Sequence, residues 1–214
     1  FIINEKHRIL YTSDFRFRTG FRENRYLLKG VDHLYYDDTL DFMTVQLPTY
    51  EDTLFGLCSV IKNIRKKHSN EKIYINSSIL GIEPILRLLS KELNERFNLS
   101  PNIKDTVRGK QLEYLLRNEL DYKNNKTKII LSHRSKDKSY KKKTIWIVLS
   151  STYFICNKYT NKMIHHDKKN NIFNIWFATH SNKCENGRLI AITSPSEISS
   201  CEDNLFPLNC LSSR

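Results

Sequence analysis

A short and almost wholly apolar segment constrains the fold of this chain more than any other feature. Residues 144–150 read TIWIVLS. The segment is too short to cross a membrane, which takes about 20 apolar residues, and the chain has no uninterrupted apolar stretch of that length. A strand that is apolar on both faces is typical of the middle of a parallel sheet, because helices cover such a sheet on both sides. We therefore predict an α/β unit around this strand.

The rest of the chain alternates between strand and helix patterns. Further strands are predicted at residues 8–12, 32–36, 72–76, 127–132 and 172–178. One helix follows the capping-box pair Thr49 and Asp52 and runs to the basic residues 65–67. Two more helices are predicted at residues 84–97 and 110–120, the first with these side chains facing inward: Ile85, Leu88, Leu89 and Leu93. This order predicts the α/β class, with a parallel sheet in the middle of the chain.

The charge balance favours a polyanionic partner. Thirty-five Lys and Arg against 23 Asp and Glu give a formal net charge of +12, which makes nucleic acid the leading partner class. Richness in Lys, Asn and Ile is also the product of AT-rich codon usage, so the charge alone leaves the partner open. The five cysteines form no CxxC pair, which indicates neither a disulfide framework nor a zinc ribbon.

Polar residues with useful chemistry directly follow three predicted strands. Asp14 follows the first, Asp37 and Asp38 follow the second, and His180 with Ser181 follows the last. Carboxylates in such places can ligate a metal, and a histidine beside a hydroxyl can act as a general acid next to a phosphate. Each residue also has an ordinary structural interpretation, as a turn aspartate or a strand-end histidine. The pattern alone leaves both open.

Three other polar segments are interpreted more simply. His165, His166 and Asp167 look like a metal cluster, but adjacent strand residues face opposite ways, and we predict a solvated loop over residues 158–171. Two basic segments could contact phosphates or form solvated surface. They comprise Arg16, Arg18, Arg22 and Arg25 in one loop and residues 141–143 in another.

Seven ordered segments together resemble a known family. They are ILYTSDFRF, LYYDDT, LPTYEDTLFGL, LGIEPILRLLSKEL, LSP, KTIWIVLSST and WFATHSNKCE. In this order they resemble the DNA cross-link repair nucleases of the Apollo and Artemis type, which belong to the metallo-β-lactamase superfamily and carry a β-CASP cap. The resemblance extends from about residue 8 to about residue 204, and the LGIE, LSP and TIWIVLSS stretches favour the Apollo branch of 5′ exonucleases.

The resemblance implies roles for individual residues. Asp14 matches the zinc-ligating aspartate of the family, although Ser13 replaces the usual glycine. Asp37, rather than Asp38, matches the β-CASP carboxylate that orients a metal-ligating histidine. His180 matches the cap-associated histidine that assists at the scissile or terminal phosphate.

Four further positions are matched more loosely. Ser181 stands where the family has a phosphate-contacting serine, and Asn182 departs from the serine that follows it. His133 aligns with a family histidine, and Ser151 aligns with a hydroxyl residue near the 5′-phosphate pocket. Cys201 lies near a position where DNA-acting members carry Val and RNA-acting members carry His, which favours DNA.

The resemblance also implies a domain order and a biological role. Residues 1–45 are expected to form part of the metallo-β-lactamase αββα sandwich, residues 46–160 the β-CASP cap, and residues 161–214 the return to the sandwich. The implied function is that of a zinc-dependent 5′-to-3′ DNA exonuclease in the nucleus. It would act in cross-link repair, double-strand break repair or telomere-end processing, with DNA and telomere or repair proteins as partners.

One departure from the family leaves alternatives open. The zinc-binding motif HxHxDH occurs nowhere in the sequence, so we expect it upstream of Phe1 and expect the given chain to be catalytically incomplete by itself. Two other interpretations stand beside the DNA exonuclease. One is an RNA-processing β-CASP nuclease, and the other is a non-catalytic module for nucleic-acid or protein binding that lost the metal site. An in-frame upstream histidine motif would separate the enzymes from the module.

Overall fold

The chain folds into two compact units in the computed structural model, which describes residues 2–3, 8–12, 16–17, 29–77, 81–121, 127–133, 144–158 and 161–201. The first unit is discontinuous and comprises Phe1–Leu47 with Ala178–Arg214, and the second comprises Pro48–Phe177. Both contain strands and helices, which confirms the α/β class. No helix in the described part of the chain is both long and apolar enough to span a membrane.

The described elements follow one another in chain order. The strands are β1 (Ile2–Ile3), β2 (Arg8–Tyr11), β3 (His33–Tyr36), β4 (Ile73–Asn76), β5 (Asn98–Leu99), β6 (Ile129–Ser132), β7 (Ile145–Ser150), β8 (Ile164–Asp167), β9 (Ile172–Trp176) and β10 (Glu197–Ser200). The helices are α1 (Tyr50–Lys67), α2 (Glu83–Leu93), α3 (Pro101–Lys104), α4 (Val107–Leu115), α5 (Thr152–Cys156) and α6 (Lys183–Thr193).

The first unit contains a four-stranded sheet in the order β1-β2-β3-β10. Strand β1 is antiparallel to β2, whereas β3 runs parallel to both β2 and β10. The predicted strands at 8–12 and 32–36 are confirmed as β2 and β3. Because β2 and β3 are parallel neighbours, the residues that follow them leave the sheet at the same edge.

The second unit contains a six-stranded sheet in the order β5-β6-β4-β7-β9-β8. All neighbours are parallel except β8, which is antiparallel to β9. Strand β7 lies between β4 and β9, and its residues Ile145 to Leu149 are all buried. The prediction that this segment is a central parallel strand is confirmed, since apolar side chains line both of its faces.

The helix α1 begins as the sequence indicates. The side chain of Thr49 accepts a hydrogen bond from Asp52 N, and the Asp52 carboxylate accepts one from Thr49 N, which completes the capping box. Its buried face, which includes Leu57 and Ile61, joins a large apolar cluster with residues of α2 and the sheet.

The helix α2 differs from its prediction at two points. It ends at Leu93 rather than at residue 97, because Asn94 adopts the left-handed conformation with φ of 50° and stops the helix. Leu88, which was expected inside, is 40% exposed, whereas Leu86 and Leu89 are fully buried. The helix predicted at 110–120 is α4, which starts earlier, at Val107 after the cap Thr106, and ends at Leu115 rather than at residue 120.

The boundary after the insertion also differs from its prediction. The sequence interpretation placed the return to the first unit at residue 161, whereas β8 and β9 extend the six-stranded sheet and the second unit ends at Phe177. The solvated loop predicted over residues 158–171 is wrong in its middle, where residues 164–167 form β8. A strand with polar side chains is tolerated there because β8 is the edge of the sheet.

Candidate functional site

Asp37 and His180, which lie 143 positions apart in the sequence, meet in the first unit. Asp37 directly follows β3, and His180 lies in the loop that leads into α6. The Nδ1 atom of His180 lies 2.7 Å from Oδ2 of Asp37. The Asp37 side chain is 2% exposed and that of His180 is 21% exposed. A buried carboxylate therefore holds an imidazole that solvent reaches.

The carboxylate of Asp37 is fixed by its own strand end. Its Oδ1 atom accepts hydrogen bonds from the backbone N–H of Thr39 at 3.0 Å and from the Thr39 hydroxyl at 2.6 Å. The Asp37 carbonyl oxygen accepts a bond from Nδ2 of Asn186 at 2.8 Å, which links it to α6. With both carboxylate oxygens engaged, Asp37 has one orientation toward His180.

This pairing determines which nitrogen of His180 can react. Because a carboxylate only accepts hydrogen bonds, the contact between Nδ1 and Oδ2 favours a hydrogen on Nδ1, and Nε2 is then the nitrogen that can take or give a proton. The same carboxylate–histidine arrangement orients histidines that bind metals through the other ring nitrogen. The pair can therefore serve proton transfer, a hydrogen bond to phosphate, or metal ligation.

The loop that carries His180 is held at the start of α6. Asn182 caps the helix, since its Oδ1 accepts from Glu185 N at 2.9 Å while the Glu185 carboxylate accepts from Asn182 N at 3.3 Å. The Nδ2 atom of Asn182 also donates to the carbonyl oxygen of Val45 at 2.7 Å. The departure from serine keeps the cap, because Asn and Ser cap helices about equally well, and the Asn182 amide adds the hydrogen bond to Val45.

Ser181 and Arg16 do not have the surroundings expected of phosphate contacts. Ser181 is fully buried, and its Oγ accepts the backbone N–H of Phe17 at 2.7 Å. The Arg16 side chain is 7% exposed and is paired with Glu185, with Nη2 3.0 Å from Oε1. The interpretation of Arg16 as part of a solvated or phosphate-binding loop is therefore wrong. Three companions, Arg18, Arg22 and Arg25, lie outside the described residues, as do residues 141–143.

Asp14, the predicted metal ligand, also lies outside the described residues. Asp38, which follows Asp37 in the sequence, has a buried Oδ1 without a hydrogen-bond partner among the described residues, whereas both carboxylate oxygens of Asp37 are engaged. No group of three or more His, Cys, Asp or Glu side chains that could hold a metal ion occurs in the part of the chain that the structure describes.

His133 and Ser151 belong to the second unit, at the carboxyl ends of two parallel strands. His133 follows β6, and Ser151 follows β7 at the start of α5, both half-buried. The adjacent Ser132 is fully buried and its hydroxyl accepts from that of Ser100 at 2.9 Å. Carboxyl ends of parallel strands are common places for ligand sites, so both residues keep their predicted role as an expectation.

The residues of β8 have individual partners within the second unit. Nδ1 of His165 lies 2.8 Å from the hydroxyl of Tyr153, and the ring of His166 stacks on Phe173. The Asp167 carboxylate caps the following turn, and a hydrogen bond from the Asn170 side chain is the main cause that lowers the pKa of Asp167.

Sequence reasoning missed the contributions of Arg16, Glu185 and Asn186. The spacing of Asn182 and Glu185 is that of a capping box and could have predicted the start of α6. The pairing of Arg16 with Glu185 spans 169 positions, and no local pattern in one sequence signals such a contact.

Comparisons with known proteins bear on the fold. No family model matches the chain, and no curated protein matches it. A crystal structure of a protein of unknown function from Enterococcus faecalis V583 is similar, with a TM-score of 0.55 and 13% sequence identity. The match covers 92% of this chain and 53% of that protein. The chain thus spans about half the length of this neighbour, and at this identity the likeness shows the fold alone.

Proposed function

We propose that this chain is part of a zinc-dependent 5′-to-3′ DNA exonuclease of the Apollo type. Its finer fold would be a partial metallo-β-lactamase sandwich with an inserted β-CASP cap, and it would act in the nucleus with DNA and with telomere or repair proteins. The observation that carries the proposal is the hydrogen bond of 2.7 Å between Asp37 and His180. The family resemblance selects these two residues independently, from motifs 143 positions apart.

Two further observations support the proposal. The second unit is a parallel-sheet insertion between the two parts of the first unit, as an inserted cap requires. The net charge of +12 suits a polyanionic substrate. The site residues Asp37 and His180 both lie in the unit that the insertion interrupts.

The chain's own residues suggest one chemical step. Asp37 holds the Nδ1–H of His180, so the protonated imidazole can hydrogen bond to a phosphate oxygen through Nε2 and deliver that proton to it. Asp37 stabilises the imidazolium form during that transfer. Thr39 keeps the carboxylate in place through two hydrogen bonds.

Zinc is part of the proposal, but the described residues do not complete a site for it. Structural and catalytic zinc take three or four protein donors, and the described residues contain no group of three or more His, Cys, Asp or Glu side chains that could hold a metal ion. The remaining ligands would be Asp14, outside the described residues, and a histidine motif absent from this sequence.

The test begins with the transcript upstream of Phe1, which should contain an in-frame HxHxDH segment. The protein encoded by that longer transcript should shorten 5′-phosphorylated single-stranded DNA from the 5′ end in the presence of zinc. His180→Ala should slow cleavage about 10²- to 10⁴-fold, the range for loss of a general acid or base. Asp37→Asn should slow it about 10- to 100-fold, the range for loss of an orienting partner.

Matched controls and competing substrates make the test specific. His68→Ala removes an exposed histidine at the end of α1 and should leave the rate unchanged. Preferential cleavage of matched RNA would replace the proposal with an RNA-processing nuclease. Binding of nucleic acid without cleavage of either substrate would replace it with the non-catalytic module.

A further inference from the structure

Arg16 and Phe17 hold the loop that carries His180. Arg16 contacts Glu185 through Nε, at 3.3 Å from each carboxylate oxygen, and through Nη2, at 3.0 Å from Oε1. Its Nη1 donates to the carbonyl oxygen of Ala178 at 3.3 Å. The backbone N–H of Phe17 donates to Oγ of Ser181 at 2.7 Å. We call this set of contacts the Arg16 clamp.

The side chains of the Arg16 clamp are largely buried, and its hydrogen bonds depend on the planar geometry of the guanidinium group. The Arg16 and Glu185 side chains are 7% and 18% exposed, so solvent screens their attraction far less than that of a surface pair. The guanidinium presents several N–H donors in a fixed plane, and here these reach two different acceptor groups. Lysine keeps the charge but cannot reproduce that geometry.

The clamp holds the loop on both sides of His180. Ala178 lies two positions before the histidine, and Ser181 directly follows it. Glu185, the third contact, in turn accepts from the backbone of Asn182. A side chain placed between fixed backbone points on either side has a restricted position relative to the equally fixed Asp37.

We propose that Arg16 is a positioning residue that places the imidazole of His180 on Asp37. The inference rests on the proposed function for its catalytic consequence, but the placement itself is a property of the first unit alone. Arg16 belongs to the same motif as the predicted ligand Asp14, yet its contribution here needs no metal. Removing the guanidinium should free the loop and weaken the bond between His180 and Asp37.

The experiment compares Arg16→Met with wild type by NMR of the imidazole nitrogens and their protons. Wild type should show a Nδ1-bound proton of His180, shifted downfield by its hydrogen bond to Asp37, that disappears in Asp37→Asn. Arg16→Met should lose or broaden this signal. In the longer chain that carries the upstream segment, Arg16→Met should lower kcat about tenfold, with a smaller change in KM, as for loss of an orienting partner.

Two further variants control for general destabilisation. Arg65→Met breaks another Arg–Glu pair, with Glu95 in the second unit, and should leave the His180 signal intact. If Arg16→Met fails to fold, Arg16→Lys, which keeps the charge without the fork, should give the same loss in weaker form.

The result that overturns the proposal is an unchanged His180 signal in folded Arg16→Met or Arg16→Lys. The NMR measurement needs no nuclease activity, so its failure is distinct from failure of the proposed function. A wild-type protein that cleaves no DNA but shows the clamp-dependent signal would contradict the nuclease proposal alone.

Discussion

The two units differ in the size of their described apolar clusters. In the second unit, a large apolar cluster from α1, α2 and the parallel sheet includes fully buried residues such as Ile61, Leu89 and Ile147. In the first unit, the described apolar cluster has five buried members, which are Leu10, Phe17, Val31, Leu34 and Leu189. The other buried residues of this unit include apolar ones, such as Leu40 and Met43, and the hydrogen-bonded polar residues Asp37, Ser181 and Asn186.

Because of this difference, we expect the second unit to contribute mainly to the stability of the chain and the first unit to hold the groups that react. Apolar burial is nondirectional and contributes roughly in proportion to area, so the stability of the second unit depends on how much area and volume its buried side chains fill. Buried polar groups need partners in fixed directions, so the first unit depends on individual hydrogen bonds. The candidate site lies in the first unit, where those bonds also orient the reactive group.

The largest effect is expected from a cavity in the second unit. Leu89→Ala should lower the free energy of unfolding by about 2–5 kcal/mol, because it removes a fully buried side chain and leaves a cavity. Leu88→Ala, its neighbour on α2 at 40% exposure, should cost well under half as much. Denaturant unfolding followed by tryptophan fluorescence measures this unit, since both Trp146 and Trp176 lie within it.

Equal costs for the two variants would contradict the burial pattern of α2. The NMR signal of the His180 Nδ1 proton tests whether these two variants affect the first unit. It should remain in both variants at low denaturant, since neither leucine belongs to the unit that holds the site.

An intermediate effect is expected at the two capping boxes, one in each unit. Thr49→Ala at α1 should cost about 1 kcal/mol, the usual value for an exposed cap. Asn182→Ala at α6 should cost about 1–3 kcal/mol, because it removes the cap and also leaves the carbonyl oxygen of Val45 without its donor. Hydrogen exchange with peptide-level resolution reports each helix separately.

The matched pair tests whether polar contacts matter more in the first unit. Asn182→Ala should also broaden the His180 signal, which Thr49→Ala should leave unchanged. A larger cost for Thr49→Ala than for Asn182→Ala would contradict the contrast drawn between the units.

The elements that the sequence predicts well are those governed by local rules. The apolar run that becomes β7 and the capping box of α1 are specified by neighbouring residues alone. The end of α2 was missed because Asn94 adopts a left-handed conformation that asparagine tolerates but does not require. Strand β8 was missed because an edge strand needs few apolar residues.

The candidate site was predictable only in part, for the same physical reason. The motifs selected Asp37 and His180, but their hydrogen bond depends on the path of the whole first unit. Arg16 lies in a basic segment that has no distinctive local pattern. Its burial beside Glu185 depends on the tertiary structure, so the sequence did not indicate it. Ser181 matched a family position, but the fold directs its hydroxyl to a backbone N–H.

The smallest effect is expected from Asp167, the second unit's counterpart to Asp37. Both aspartates accept several hydrogen bonds from nearby groups, but Asp167 lies at an exposed turn, where it accepts from Asn170 Nδ2 at 2.7 Å and from Lys169 N at 3.1 Å. The hydrogen bond from the Asn170 side chain is the main cause that lowers the pKa of Asp167 below its ordinary value of 3.8. In the unfolded chain the carboxyl regains that ordinary value.

The sign of the pH effect follows from this shift. A carboxyl whose pKa is lower in the folded state contributes its full stabilisation above pH 3.8 and loses it as the pH falls through the folded value. Asp167→Asn should therefore remove the acid dependence of amide protection at residues 168–171 and leave the unfolding midpoint of the second unit unchanged. Amide exchange measured by NMR checks this prediction. The measurement should run from about pH 5 down through the acid range, where carboxyl groups titrate. A shifted unfolding midpoint would mean that exposed polar contacts also stabilise the second unit. That result would contradict the contrast between the exposed Asp167 and the buried Asp37.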